Sequence, residues 1–201
     1  MRFEYTQQEI DYLKKKDKKL GAAIDKIHDT SSMIERFIEP DLFASLVRNI
    51  IGQQIATKAA HTVYQRFLEA FGSITPENIL NYSIEEIQKL GVSFRKAGYI
   101  RNSAQMIATG AIDLDSLWTK TDDEVVTELS KLPGIGKWTA EMLLIFSMGR
   151  PDVVSFGDLA ILRGMCHVYG HQKITKELFE KYRKRYSPYG TLASFYLWEL
   201  S

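Results

Sequence analysis

The stretch of sequence that decides the fold is Leu132-Pro133-Gly134-Ile135-Gly136-Lys137-Trp138-Thr139-Ala140. Pro133 cannot donate a backbone hydrogen bond, so a helix before it must end there. Gly134 and Gly136 permit positive φ and let the backbone approach another surface closely, and Ile135 fits between them as a hydrophobic plug. The next helix begins with unsatisfied N–H groups at its positive end, beside the cation of Lys137, which suits phosphate. A short glycine motif is weak evidence by itself, so an ordinary helix–helix turn stays open at this point.

Outward from this turn, apolar residues recur at helical spacing, whereas almost no stretch alternates apolar and polar residues as a strand would. Capping boxes begin at Ser83 and Thr121, each with a glutamate three residues later. Helices are predicted over residues 41–51, 53–71, 83–91, 94–109, 121–132, 137–148, 158–169, 175–185 and 191–200. The pattern predicts an all-α fold of two helical lobes that share a groove.

Length and composition narrow the class of protein. The chain has 201 residues, of which 45% are hydrophobic and 25% charged, as in a folded globular domain. Its 26 Lys+Arg residues against 25 Asp+Glu give a net charge of +1, which argues against a basic DNA-packing tail. Cys166 is the single cysteine, which excludes a disulfide framework and the four-thiolate ligand set of an iron–sulfur cluster. The chain lacks an apolar run long enough to span a bilayer, and it lacks a signal-peptide core. We therefore expect a soluble intracellular protein without a membrane partner.

Three further segments accompany the hairpin. They are Ile51-Gly52-Gln53-Gln54-Ile55-Ala56, Gly91-Val92-Ser93-Phe94-Arg95-Lys96-Ala97, and a Met148-Gly149-Arg150-Pro151 loop that leads to Val153-Val154-Ser155-Phe156-Gly157-Asp158. Over about residues 40–200, the chain resembles the helix–hairpin–helix DNA glycosylase superfamily, most closely its alkyladenine (3-methyladenine) branch. The resemblance implies one domain over residues 1–201, with the helix–hairpin–helix at about 121–148 and a DNA-binding, active-site groove between the lobes. Since only about 40 residues precede the core, we expect the N-terminal β-rich domain of some relatives to be absent.

The resemblance implies that Asp158 is the catalytic residue. A glycosylase extracts a base from the duplex and breaks its bond to a sugar that develops oxocarbenium character. A carboxylate beside the anomeric carbon stabilises that charge and orients or deprotonates the attacking water. The sequence also supports a simpler interpretation, since an aspartate before an apolar helical pattern is a good N-cap. The two roles are compatible.

The resemblance places the base pocket at Trp138 and Trp198, with Tyr189 as a weaker candidate. An alkylated purine is cationic, and an electron-rich ring attracts it by about 0.5–2 kcal/mol. Each of these residues also fits plain packing, which is the stronger interpretation for Tyr189. Met142 stands where the branch can carry an aromatic, which leaves the range of lesions open. Trp138 occupies the position of the Schiff-base lysine of lyase-competent relatives, so we expect a monofunctional enzyme that uses water.

Gln54 is the candidate wedge that fills the gap left by a flipped base, and Gln53 supports its turn. A rival role for Gln54 stays open, as a helix-terminal amide that bonds local backbone. The grip on DNA phosphate is expected from the amides of Gly134 to Gly136, including Ile135, with Lys137 and Thr139 beside them. The resemblance implies no iron–sulfur cluster, and it allows a monovalent cation, Na⁺ or K⁺, at the hairpin carbonyls.

The function predicted from the sequence is excision of alkylated purines, such as 3-methyladenine and 7-methylguanine, from double-stranded DNA containing damaged bases. Two alternatives stay open: a glycosylase of the same fold for oxidised or deaminated bases, and a non-catalytic DNA clamp. We expect a monomer that acts in the cytoplasm or nucleoid, or in a nucleus. Basic clusters at residues 11–19 and 173–186 either steer DNA or are ordinary solvated helix faces.

Overall fold

The computed structural model describes residues 1–30 and 34–201, and helices dominate both ranges. They are α1 (Gln7–Lys16), α2 (Lys18–Thr30), α3 (Leu42–Gly52), α4 (Thr57–Phe71), α5 (Pro76–Leu80), α6 (Ile84–Lys89), α7 (Phe94–Ala108), α8 (Asp122–Leu129), α9 (Lys137–Phe146), α10 (Leu159–Tyr169), α11 (Lys176–Tyr186) and α12 (Gly190–Glu199), with a 3₁₀ turn at Asp115–Thr119. Within the described ranges, extended pairing is confined to the isolated bridge between Arg2 and Phe37. The predicted all-α class is therefore confirmed. None of the described helices is long and apolar enough to cross a membrane.

The chain divides into two compact units. The first unit comprises Met1–Ile38 and Leu144–Ser201, and the second comprises Glu39–Leu143. The second unit therefore holds helices α3 to α8, and the first holds α1, α2 and α10 to α12. The expectation of one glycosylase domain over residues 1–201 stays a prediction.

Side-chain caps set the starts of several helices in the second unit. At α3, Asp41 Oδ1 accepts a hydrogen bond from the Ala44 N–H at 2.9 Å. Both predicted capping boxes, at Ser83 and Thr121, form with their two reciprocal hydrogen bonds. Such caps satisfy N–H groups that a helix start leaves without partners. The apolar faces of these helices supply fully buried side chains, each worth about 1.5–3 kcal/mol: Leu46, Ile50, Phe67, Ile79, Ile100 and Leu129.

In the first unit, a buried polar network ties the α1–α2 junction to α10 and α11. Asp17 accepts hydrogen bonds from Tyr169 OH at 2.7 Å and from Arg185 Nη1 at 2.9 Å. Its other oxygen accepts from the Leu20 N–H at 3.0 Å. Burial raises the pKa of Asp17, but the hydrogen bonds from Leu20, Tyr169 and Arg185 outweigh it and hold that pKa below its ordinary value. The network is therefore built around an ionised carboxylate.

Helix α12 is buried along most of its length in the first unit, from Gly190 to Leu197. It approaches α10 so closely that a Cβ on Gly164 would lie 2.1 Å from the carbonyl oxygen of Leu197. This close packing brings the end of α12, which carries Trp198, to the start of α10, which carries Asp158.

The boundaries predicted around α4 were wrong at its start. The helix predicted from Gln53 begins at Thr57, because Gln54 has a φ of 59°, a left-handed conformation that a right-handed helix cannot contain. Helices α1, α2 and α5 were not predicted. The lysine-rich start of the chain was interpreted only as a charge cluster, although most of it lies in α1 and α2.

Helices α8 and α9 are shorter than predicted. They end at Leu129 and Phe146 rather than at Leu132 and Met148. Leu132 directly precedes Pro133, whose ring disfavours the helical conformation of the residue before it. The chain therefore leaves the helix early and enters the glycine turn.

Candidate active site

At the first glycine of the hairpin between α8 and α9, both the backbone conformation and the packing of the protein require a residue without a Cβ. Gly134 has a φ of 81°, and a Cβ there would lie 2.4 Å from the Cδ2 atom of Tyr99. Ile135 follows with 4% exposure, and its N–H donates to the Leu132 carbonyl at 3.1 Å. The plug predicted for Ile135 is thus buried, and the turn is locked against α7 by Tyr99.

At the second glycine of the hairpin, neither the backbone conformation nor the packing of the protein requires glycine. Gly136 is exposed, its φ is not positive, and a Cβ there would meet no atom within 4 Å. Lys137 follows with a side chain that is 77% exposed and an Nζ atom 3.8 Å from Glu141 Oε1. Thr139 is buried at 5% exposure, so its side chain faces the interior, and its phosphate contact stays a prediction. The exposed backbone at Gly136 is the part of the turn open to a ligand.

The segment predicted to carry a wedge forms an exposed turn between α3 and α4. Gln54 is exposed and is the one non-glycine residue with positive φ in the described part of the chain. The side-chain amide of Gln53 donates from Nε2 to the Gly134 carbonyl at 2.8 Å. Sequence reasoning assigned Gln53 to support this turn, and the structure shows that it joins the turn to the hairpin.

Lys96 completes the turn; in the sequence it belonged to the segment from Gly91 to Ala97 that carries the resemblance, without a site role of its own. Its Nζ donates to the carbonyl oxygens of Ile51 at 2.8 Å and of Gln53 at 2.5 Å. The available signal was a lysine in the first turn of a helix, where the dipole disfavours a cation. In this protein the two carbonyl acceptors of the Gln54 turn offset that cost.

Asp158 is held by its own helix and by a tryptophan. Its Oδ1 accepts hydrogen bonds from the N–H groups of Ala160 at 2.9 Å and Ile161 at 3.0 Å, which is the predicted N-cap. Trp198 Nε1 donates to the same oxygen at 3.2 Å. The carboxylate also benefits from the positive end of the α10 dipole. With 8% exposure, it is a largely desolvated negative charge with a fixed orientation.

In the first unit, aromatic side chains pack on the tryptophan that holds this carboxylate, and apolar residues lie near Asp158 in the sequence. Trp198 stacks on Phe146 with ring centroids 5.6 Å apart and an interplanar angle of 20°. Phe156 and Leu159 flank Asp158 in sequence and are 39% and 68% exposed. Single exposed apolar side chains are ordinary at a protein surface, and the Phe156 ring packs edge-to-face on Phe179 with ring centroids 5.1 Å apart. In the sequence, Leu159 was interpreted only as part of an apolar helical pattern.

The other predicted pocket residues differ in exposure. Trp138, on the first turn of α9, is 44% exposed, whereas Met142 one turn later is buried at 6%. Both belong to the second unit. Tyr189, in the first unit, packs edge-to-face on Tyr12 at 5.1 Å between ring centroids. That contact gives Tyr189 the packing role that the sequence favoured, and its pocket role stays a prediction.

The hairpin carbonyls already carry protein donors. Leu132 O accepts from the Ile135 N–H, and Gly134 O accepts from the Gln53 amide. A carbonyl oxygen has two lone pairs, so these contacts leave room for a monovalent cation, which stays a prediction.

Comparison with known proteins identifies the family. Residues 47–188 match the HhH-GPD superfamily of base excision DNA repair proteins. The match covers well over half of the chain, which therefore belongs to this family.

Solved structures of two relatives superimpose on this chain. A crystal structure of DNA-3-methyladenine glycosidase from Bacillus halodurans superimposes with a TM-score of 0.87 at 33% identity, over 99% of this chain and 91% of that one. Schizosaccharomyces pombe 3-methyladenine DNA glycosylase (Mag1), in complex with abasic DNA, gives 0.80 at 28% identity and 96% coverage of both chains.

Curated relatives extend the comparison beyond solved structures. DNA-3-methyladenine glycosylase 1 of Schizosaccharomyces pombe is 33% identical over 79% of this chain and 72% of its own length. Bacillus subtilis YfjP is 30% identical over 80% of this chain, which spans only 59% of YfjP.

Proposed function

We propose that this protein is a monofunctional DNA glycosylase that removes alkylated purines, such as 3-methyladenine and 7-methylguanine, from duplex DNA by hydrolysing the N-glycosidic bond. The observation that carries the proposal is the carboxylate of Asp158, fixed by two backbone N–H groups and the indole of Trp198. The names of the relatives support the same reaction, since they describe 3-methyladenine glycosylases.

Asp158 acts on the sugar in this proposal. As the glycosidic bond lengthens, positive charge develops on the anomeric carbon and ring oxygen. A carboxylate already oriented by three donors stabilises that charge without reorganising at the moment of reaction. The same group orients or deprotonates the water that attacks the sugar, and the purine leaves as the free base.

Charge distinguishes the damaged base from a normal one. A methylated purine carries a positive charge and is an activated leaving group, so the site needs only to favour a cationic ring. Trp138 is 44% exposed and offers an electron-rich indole, a contact worth about 0.5–2 kcal/mol. Trp138 also stands where lyase-competent relatives have a lysine, so no amine is present at that position to form a Schiff base, and water is the nucleophile.

The second unit supplies the grip on duplex DNA. The exposed backbone at Gly136 and the cation of Lys137 receive a phosphate, which is contact independent of base sequence. Gln54 fills the gap that the flipped base leaves in the stack, which recovers part of an unstacking cost of a few kcal/mol. We propose that the protein acts as a monomer on damaged chromosomal DNA inside the cell.

Excision from methylated duplex DNA tests the proposal, with the released bases identified by chromatography. Asp158→Asn keeps an oxygen for the N-cap but removes the negative charge, so we expect excision to fall by several orders of magnitude while duplex binding persists. The matched control is Asp41→Asn, the same substitution at the N-cap of α3, which leaves excision near the wild-type rate.

The outcomes separate the alternatives. Release of methylpurines by wild type and Asp41→Asn but not by Asp158→Asn supports both the reaction and its aspartate. If Asp158→Asn excises at the wild-type rate, Asp158 is only a cap. If wild type binds DNA but releases no base, the protein acts on oxidised or deaminated bases or is a clamp without catalysis.

A further inference from the structure

We propose that Lys96 is a positioning residue for base extraction: it holds the turn that carries Gln54 in the conformation that inserts this side chain into DNA. The inference rests on the proposed function, because Gln54 has a gap to fill only if a base is flipped. It adds a residue that neither touches the reacting atoms nor lies in the hairpin.

The turn needs outside support because its own backbone stabilises it weakly. Gln54 has a φ of 59°, a conformation that residues with a Cβ adopt at a cost. The backbone hydrogen bonds of the turn are long: Gln53 N to Ile50 O and Ile55 N to Gly52 O both measure 3.4 Å. Ile55 beside it is 41% exposed, so no buried anchor holds this side of the turn.

Lys96 supplies that support from α7. Its ammonium donates to the carbonyls of Ile51 and Gln53, which lie on either side of the residue where α3 ends. Two charge-assisted hydrogen bonds from one group fix the direction in which the chain leaves the helix. Gln54 is the next residue along, so its backbone conformation is set by where Gln53 is held.

Helix stability alone does not account for a lysine at this place. Lys96 is the third residue of α7, where the helix dipole favours an acidic side chain, and Arg95 adds a second cation beside it. Burial and Arg95 lower the pKa of Lys96, so its surroundings oppose the charge. The acceptors that offset this cost belong to the Gln54 turn.

A second contact extends the same network to the hairpin. Gln53 receives the Lys96 bond on its backbone carbonyl, and it donates from its side chain to the Gly134 carbonyl at 2.8 Å. The turn is therefore fixed at one residue from two directions, by α7 and by the phosphate-binding hairpin. Seating the hairpin on DNA then sets the position from which Gln54 enters the stack.

A double-mutant cycle separates positioning from plain stability. Lys96→Met keeps the aliphatic stem and removes the donors, and Gln54→Ala removes the wedge. Excision is measured in single turnover at saturating enzyme on a methylated duplex, with thermal unfolding of each variant. Because small misplacement of a positioned group is costly, we expect Lys96→Met to slow excision by about ten- to a hundredfold. In the Gln54→Ala background the same substitution should change the rate less than about twofold, since sites that act through one group are not additive.

A fluorescence measurement tests the same point without excision. The probe is a duplex with a tetrahydrofuran abasic site and 2-aminopurine opposite it, whose emission reports filling of the gap. We expect Lys96→Met and Gln54→Ala to reduce the emission change on binding to a similar extent. The control Lys89→Met removes an exposed lysine from α6 of the same unit and should behave as wild type.

Each outcome supports or overturns the role proposed for Lys96. Multiplicative effects in the cycle, or a wild-type emission change for Lys96→Met, would overturn the inference. Wild type without excision defeats the proposed function, while the abasic duplex still tests Lys96. If Lys96→Met does not fold, Lys96→Gln, which removes the charge and shortens the side chain but keeps an amide, takes its place in both measurements.

Discussion

The two glycines of the hairpin differ in what they do, and alanine substitution separates their roles. Gly136→Ala adds a methyl group that meets no protein atom within 4 Å, whereas the methyl of Gly134→Ala would lie 2.4 Å from Tyr99. If Gly136 is the point where the backbone meets phosphate, its substitution should weaken DNA binding without loss of stability. Gly134→Ala should instead lower the stability of the fold.

The magnitudes follow from these environments. At Gly134, the left-handed conformation costs a non-glycine residue about 1–2 kcal/mol, and overpacking against Tyr99 adds about 1–3 kcal/mol. At about 2–4 °C per kcal/mol for a chain of this size, the Tm falls by at least about 4 °C. Gly136→Ala should instead raise stability by about 0.4–1 kcal/mol, because alanine restricts the unfolded chain. Loss of one amide contact to phosphate, about 1.5–3 kcal/mol, weakens Kd by about ten- to a hundredfold.

The assay pairs thermal unfolding with fluorescence anisotropy of a labelled abasic duplex at one fixed salt concentration, since DNA affinity depends steeply on salt. Gly98→Ala is the control, because a Cβ at this glycine of α7 also meets no atom within 4 Å. It should gain stability and bind DNA as wild type does. If Gly136→Ala binds DNA as tightly as Gly98→Ala, the hairpin does not contact phosphate through Gly136 and the reasoning is refuted.

Two further predictions concern the first unit. Trp198→Phe keeps a ring for stacking but removes the donor to Asp158, so single-turnover excision should fall by about tenfold, the effect of losing about 1.4 kcal/mol; an unchanged rate would leave Trp198 with a packing role only. Asp17→Asn keeps an oxygen for the network but removes the buried negative charge that pairs with Arg185, whose side chain is 39% exposed, so we expect a cost of about 1–3 kcal/mol at neutral pH. Because the folded pKa of Asp17 is depressed, its stabilisation exists above the unfolded pKa and is lost as pH falls through the folded value. Urea unfolding across acidic to neutral pH checks this against exposed Asp11→Asn, and equal pH dependence of the two variants would contradict it.

Features of the fold that depend on neighbours in sequence were predictable. The capping boxes at Ser83 and Thr121 and the N-cap at Asp158 each join residues three or fewer positions apart, so short patterns contain all the atoms involved. The same holds for the hairpin, where Pro133 ends one helix and the glycines begin the turn. Helices α1 and α2 were not predicted, because their lysines were interpreted as a charge cluster. The apolar face between those lysines is recognised only from its packing in the first unit.

The sequence by itself determined the helical class, the family and the residue types of the site. It indicated an N-cap at Asp158 from the local pattern and a catalytic role there from the resemblance. Tertiary structure decided the rest: Trp198, 40 positions away, donates to the capping aspartate, and Lys96, 43 positions from Gln53, donates to the carbonyl of the residue before Gln54. Local propensity cannot specify such contacts, because they depend on how α10 meets α12 and how α3 meets α7. The left-handed backbone of Gln54 is likewise stable only when contacts from residues distant in sequence hold it in place.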